Sequence, residues 1–237
     1  MTGWPGEPRM EYDKLIAQGQ AAGAAGKPIE HVIFDFGNVL VYWDARQALL
    51  SRYDQASIER FLDNDVSGFY DAADMMDANT GQEEAIDWMR RTHGGQWADM
   101  LAYYLDNFED SLTGLVPGAR VLIEDLKAAG IGVWGLSNWE RELFIQAEGL
   151  YPILGQLQDR VVSGFVNLRK PDPAIYRMAL DSFGLDPSTS IFVDDKAMNI
   201  VAANQVGLRG VRFSDHRKLR QILIASGIDI PNLRSVR

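Results

Sequence analysis

The chain has 237 residues, enough for one medium domain or for a core domain carrying an insertion. It contains no cysteine, which excludes disulfides, thiolate metal sites and cysteine nucleophiles. Its 33 acidic against 23 basic side chains give a formal net charge of −10, which argues against non-specific binding to nucleic acid or an anionic membrane. An anionic substrate remains compatible, because a local cation can reverse the field inside one cleft. No apolar run is long enough to span a bilayer, and the start lacks the basic-then-apolar pattern of a signal peptide, so a cytoplasmic location is expected.

Residues 1–28 read as a tail: a Gly/Pro-rich start, a short helix over 9–18, then small-residue linker. The stretch His31 to Asp44, HVIFDFGNVLVYWD, then opens the fold. Val32, Ile33 and Phe34 form an apolar, β-rich run that delivers Asp35 into a turn made by Gly37 and Asn38. Gly and Asn tolerate a positive φ, so the chain can bend there. Residues 45–110 lack strand patterning and show helical spacing, at Leu49, Leu50 and Tyr53, then Ile58, Phe61 and Leu62, then Ile86 and Met89. They are expected to form a small helical cap inserted after the first strand, with Thr80 capping the helix that begins GQEEAIDW. Ala119 to Ala129 reads as an amphipathic helix with Val121, Leu122, Ile123 and Leu126 on its apolar side, stopped by Gly130. A strand over 131–136 ends in Ser137-Asn138. A short apolar run over 160–163 follows, and Lys170 precedes a helix opened by Pro173. A strand over 190–193 ends in Asp194-Asp195, and the rest alternates helix, strand over 210–213, and a helix over 218–226. Alternating strands and helices predict an α/β fold, a Rossmann-like doubly wound parallel sheet with right-handed crossovers. Its core is expected over 29–44 and 111–237.

Three strands thus end in polar groups, Asp35, Ser137-Asn138 and Asp194-Asp195, at the sheet edge where open α/β folds bind ligands. Each alone has an ordinary structural reading: acids cap helices, Ser-Asn makes turns, and Lys170 is a solvated lysine. Together they fit one chemistry. Carboxylates meeting at one edge repel unless a hard cation joins them, and Mg²⁺ suits oxygen ligands. A carboxylate can act as a nucleophile, while Ser, Asn and Lys groups can hold phosphoryl oxygens.

The order Asp-x-Gly-Asn-Val-Leu, Leu-Ser-Asn, Lys-Pro-x-Pro-x-Ile-Tyr and Val-Asp-Asp-x-x-x-Asn resembles the four motifs of the haloacid dehalogenase-like hydrolase superfamily, over roughly residues 31 to 214. The helical insertion resembles that family's helical cap. The resemblance implies a Mg²⁺-dependent phosphatase acting on a small phosphate monoester through an aspartyl-phosphate on Asp35. It implies phosphoryl binding by Ser137 and Asn138, and charge stabilisation by Lys170. It also implies metal ligation by Asp35, the Gly37 carbonyl and Asp195, with Asp194 a ligand or its neighbour, and Asn199 orienting that pair.

One departure stands out. Phosphatases of this superfamily usually carry a second Asp two residues after the nucleophile, where it protonates the leaving group; here that position is Gly37. Such proton transfer is worth roughly 10²–10⁴ in rate. An Asp-x-Gly-Asn variant resembles a branch of sugar-phosphate phosphatases. The replacement proton source is sought in the cap, at Asp71, Asp74, Asp77 or His93, or in a metal-ordered water. Two rivals are a non-catalytic module that binds Mg²⁺ and phosphate, favoured by Gly37, and a metal-independent 2-haloacid dehalogenase, disfavoured by the Asp194-Asp195 pair. Trp43 and Trp139 either stack on a sugar or pack between cap and core. His31 is expected to precede the first strand and to be structural, and His216 to face solvent.

Overall fold

A computed structural model describes residues 27–232, so the expected tail helix over 9–18 lies outside the described residues. Five short strands form the main sheet: β1 (His31–Phe34), β4 (Gly132–Ser137), β5 (Arg160–Val162), β6 (Ser190–Asp194) and β7 (Arg209–Arg212). Their order is β5-β4-β1-β6-β7, and every pairing is parallel. Two further strands, β2 (Val41–Trp43) and β3 (Leu112–Leu115), pair antiparallel outside that sheet.

Alternation along β1 explains the layers. Val32 and Phe34 point to one apolar cluster, whereas Ile33 points to another. The first cluster takes Leu122, Ile123 and Leu126 of α6 (Ala119–Ala128), Leu143 and Phe144 of α7 (Arg141–Leu150), and Leu219 and Leu223 of α11 (His216–Ala225). The second takes Ile175, Tyr176 and Ala179 of α9 (Pro173–Phe183), and Ala197 and Ile200 of α10 (Ala197–Gln205). A short helix, α8 (Ser163–Val166), follows β5. Helices therefore cover both faces of a parallel sheet, which is the doubly wound α/β architecture expected from the alternation.

Between β2 and β3 the chain makes α1 (Gln55–Phe61), α2 (Asn64–Ser67), α3 (Phe69–Asp77), α4 (Gln82–Thr92) and α5 (Gly95–Asp106). The β2–β3 pair is thus a two-stranded stalk from which the helical insertion leaves and to which it returns. Phe61, Phe69, Met89, Trp97 and Leu101 of the insertion belong to the same apolar cluster as Val32 and Phe34. Insertion and sheet share one interior.

Four local expectations are corrected. The helix after residue 80 is preceded by Gly81 at φ 94°, with no side-chain cap from Thr80. Val121 is exposed, because only three of the four apolar positions on α6 fall on the buried stripe. His31 lies within β1 rather than before it, edge-on to Trp134. His216 is 4 % exposed, not solvent-facing: it opens α11, packs edge-on against Phe213, and its Nε2 lies 2.8 Å from the Val39 carbonyl.

Candidate active site

The site lies where β4, β1 and β6, neighbours in the sheet, reach their carboxyl ends. Asp35 follows β1 directly, and its backbone N–H donates to the Val193 carbonyl at 2.9 Å, extending the ladder one residue past the strand. The chain then reverses. The Phe36 carbonyl accepts from Leu40 and Val41 at 2.8 and 3.0 Å, and Asn38 takes the single left-handed position of the turn at φ 57°. The Asn38 Oδ1 accepts from the Trp43 backbone at 3.1 Å and ties the turn to β2. Gly37 keeps a φ outside the left-handed region, and a Cβ built there meets nothing within 4 Å.

Ser137, the last residue of β4, donates its hydroxyl to Asp35 Oδ1 at 2.8 Å. Lys170, 2 % exposed, reaches the same oxygen at 2.9 Å. Its Nζ also donates to the Leu136 carbonyl at 3.0 Å and to Asp194 Oδ2 at 2.6 Å. An ammonium has three protons, so these three acceptors account for all of them. Burial alone pulls the Lys170 ammonium down, yet the Asp194 and Asp35 carboxylates hold it above its ordinary value.

Asn138 fixes that lysine in place. Its Nδ2 donates to the Lys170 carbonyl and its Oδ1 accepts from the Lys170 backbone N–H, both at 2.8 Å. The Asn138 carboxamide is therefore occupied by the lysine loop. Asp194 ends β6 and is fully buried. It receives Lys170, the Lys196 backbone N–H at 2.8 Å, and the Asn199 carboxamide at 3.0 and 2.9 Å on its two oxygens. Asn199, in the first turn of α10, thus bears on Asp194.

Asp35, Asp194 and Asp195 each bring a carboxylate oxygen within 4.8 Å of the others. Like charges at that separation repel by roughly 3–4 kcal/mol at an effective dielectric of about 20. One lysine offsets only one of the three. Burial, then Asp194 and Asp35, push the Asp195 carboxyl up to about 7, against Lys196 and Lys170. An all-carboxylate cluster with a deficit of positive charge fits a hard divalent cation such as Mg²⁺. Because Asp194 is already held by three side-chain and backbone partners, Asp35 and Asp195 are the better placed ligands.

The helical insertion meets this edge through polar contacts. Asp74 Oδ1 pairs with Arg169 at 2.6 Å, Asn79 Nδ2 donates to Asn167 Oδ1 at 2.6 Å, and Gln82 Nε2 donates to Glu140 Oε2 at 3.1 Å. Asn167 and Arg169 belong to the loop that carries Lys170. The sequence reading gave Arg169 and Glu140 no role; Arg169's place beside the Lys-Pro motif was the available signal. Trp139 packs edge-on against Phe108 and Phe144, and Trp43 donates from Nε1 to the Tyr104 hydroxyl at 3.0 Å. Both indoles serve packing between insertion and sheet.

Of the four proposed cap acids and bases, the structure separates one. Asp71 is exposed, and Asp74 is paired with Arg169. His93 packs on Trp88 with its Nδ1 2.8 Å from Thr92 Oγ1. Asp77 is partly covered at the seam between insertion and sheet. Burial pushes its carboxyl up to about 7, opposed by Lys196, Arg169 and Lys170 and reinforced by Asp74.

Comparison with known proteins agrees with this geometry. The model of the haloacid dehalogenase-like hydrolases matches residues 29–207. A sesquiterpene phosphatase from Aspergillus oryzae is 30 % identical over 122 residues, 49 % of this chain and 62 % of its own. The (S)-2-haloacid dehalogenase 4A from Burkholderia cepacia is 34 % identical over 99 residues, 41 % of this chain and 42 % of its own. This chain therefore spans less than two thirds of the length of these curated relatives. Among solved structures, the magnesium complex of a family enzyme from Bacteroides thetaiotaomicron has a TM-score of 0.63 at 17 % identity, covering 83 % of this chain and 98 % of that one. Family model, sheet order and the meeting of Asp35, Ser137, Lys170 and Asp194 converge: the chain belongs to the haloacid dehalogenase-like hydrolases.

Proposed function

We propose that this hydrolase is a Mg²⁺-dependent phosphatase of small phosphate monoesters, with sugar phosphates the expected class, and that Asp35 is its nucleophile. The observation that carries the reading is the contact of Ser137 and Lys170 with one Asp35 oxygen beside the buried Asp194 and the half-buried Asp195. The sesquiterpene phosphatase among its relatives supports the phosphatase reading, and the solved neighbour bound to magnesium supports the metal.

The roles follow from the contacts. Asp35 attacks phosphorus, and the ester oxygen leaves. Lys170 keeps Asp35 ionised and offsets charge on the transferring group. Ser137 orients the Asp35 carboxylate and lies beside the incoming phosphoryl oxygens. Asn138 holds the lysine loop, and its own place at the end of β4 puts its backbone at the same edge. Asp194, fixed by Asn199, anchors Lys170. Mg²⁺ held by Asp35, Asp195 and the Gly37 carbonyl would supply the positive charge that the acids lack and would bind a phosphoryl oxygen. Among the described residues no helix is long and apolar enough to cross a membrane.

The dehalogenase relative gives a second reading specific support. Against it stand the three clustered carboxylates, which a metal-free reaction on carbon leaves short of positive charge beyond that of Lys170. The discriminating experiment measures phosphate release from p-nitrophenyl phosphate and chloride release from 2-chloropropionate, with and without Mg²⁺. Phosphate release that needs Mg²⁺ and vanishes in Asp35→Asn is the expected result. Metal-independent chloride release would assign the chain to the dehalogenases, and neither product would mark a binding module.

A further inference from the structure

Gly37 removes the usual proton donor, yet the turn that holds it has open space rather than a substitute side chain. That space leaves room for a side chain from the helical insertion to approach. Asp77 closes α3, and residues on both sides of it touch the loop leading into Lys170: Asp74 through Arg169 and Asn79 through Asn167, each at 2.6 Å. α3 also packs on α8, which opens that same segment. These two cross-links pin the end of α3 over the lysine loop. The charges that act on Asp77 come from the sheet side and from its own helix: Lys196 before α10 and Arg169 and Lys170 before α9 favour its ionised form, and Asp74 opposes it. The Asp77 charge also reaches the buried Tyr104 hydroxyl of α5, which burial first and Asp77 after it hold above its ordinary value against the hydrogen bonds of Trp43 and Ser111.

We propose that Asp77 is the general acid of this enzyme, reaching from the helical insertion to the oxygen that leaves phosphorus and replacing the side chain missing at Gly37. The proposal rests on the phosphatase reading above. As the Asp35 oxygen bonds to phosphorus, the P–O bond to the ester breaks and its electron pair goes to the leaving oxygen. The Asp77 carboxyl proton goes to that oxygen and an alcohol departs. Asp77, now a carboxylate, takes a proton from water as the water oxygen attacks phosphorus. The bond from phosphorus to Asp35 breaks, phosphate leaves, and both acids return to their starting states. A partly covered carboxyl that burial raises to about 7 is present in both protonation states near neutral pH and can give and take a proton in this cycle.

The test uses a series of phenyl phosphates of one shape and rising leaving-group basicity: p-nitrophenyl, phenyl and p-methoxyphenyl phosphate. The quantity read is kcat/KM, which covers every step through departure of the alcohol. For Asp77→Asn the loss should widen along the series and reach ~10²-fold or more on the methoxyphenyl ester. Adding Gly37→Asp to Asp77→Asn should restore most of that loss. A thermal melt checks folding, and Asp77→Ser serves where Asn perturbs the seam. A loss of equal size on all three esters would reduce Asp77 to a packing role, and no loss would remove it from the reaction; either result overturns the proposal. If the unaltered enzyme releases phosphate from none of them, the phosphatase reading itself fails, and Asp77 fails with it.

Discussion

At Lys170 the ammonium meets three oxygens, from Leu136, Asp35 and Asp194. The sequence showed that a lysine and several acids would meet at one sheet edge. It did not show which acid would hold which partner, because that depends on side-chain rotamers across two loops. Asp194 proves to be the lysine's anchor, and Asn138 the clamp on its backbone. The same holds for His216: its polar type and its nearness to the chain end point outward, whereas the Phe213 ring and the Val39 carbonyl enclose it. Burial holds the His216 imidazole below its usual 6.5, outweighing Val39 and Asp215, with Arg220 acting in the same direction as burial. The unfolded chain therefore binds a proton below 6.5 that the fold resists, so stability falls as pH drops from 6.5 toward the lower folded value. His216→Gln should flatten the stability slope measured by urea unfolding between pH 7 and pH 5. The change is bounded by about 1.4 kcal/mol per pH unit, the effect of one proton. An unaltered slope would show that His216 titrates alike in both states.

Four strands of the main sheet were legible as elements because each is a short β-rich run bounded by turn residues, and the polar ends of three gave away the site; β5, of three residues, reads only as a short apolar run. The β2–β3 stalk was not legible. Val41–Trp43 is only three residues long and lies just past the Gly37-Asn38 turn, and Leu112–Leu115 carries Gly114 at φ 135° in its middle. Their pairing spans the whole insertion, so no turn signal joins them. Another element-level feature invisible to pattern is the approach of α8 to the segment after β4. Gly164 donates to the Trp139 carbonyl at 3.1 Å, and a Cβ on it would stand 2.6 Å from the Arg141 nitrogen and 2.7 Å from that carbonyl. Both neighbours are backbone and neither can turn away. Gly164→Ala should therefore cost ~2 kcal/mol or more of stability, read as a lowered urea midpoint at unchanged m-value. A cost under about 0.5 kcal/mol would mean that the two segments separate easily.

On the scale of the whole molecule, one apolar interior runs from the sheet into the helical insertion, and three polar cross-links close their seam. The parallel sheet collects residues distant in sequence at one edge, while the insertion makes polar contacts with the loops around it. That division was partly legible: helical spacing announced the insertion, but its contacts with the lysine loop lie between surfaces that no single-chain periodicity relates. The account's central claim is that Asp35 accepts the phosphoryl group. The most direct test mixes the enzyme briefly with p-nitrophenyl phosphate and Mg²⁺, quenches in acid, and maps any added phosphoryl group by peptide mass spectrometry. The account predicts one adduct, on Asp35, absent in Asp35→Asn and when Mg²⁺ is chelated. Turnover accompanied by an adduct on another residue, or a full adduct on Asp35 without the metal, would contradict it.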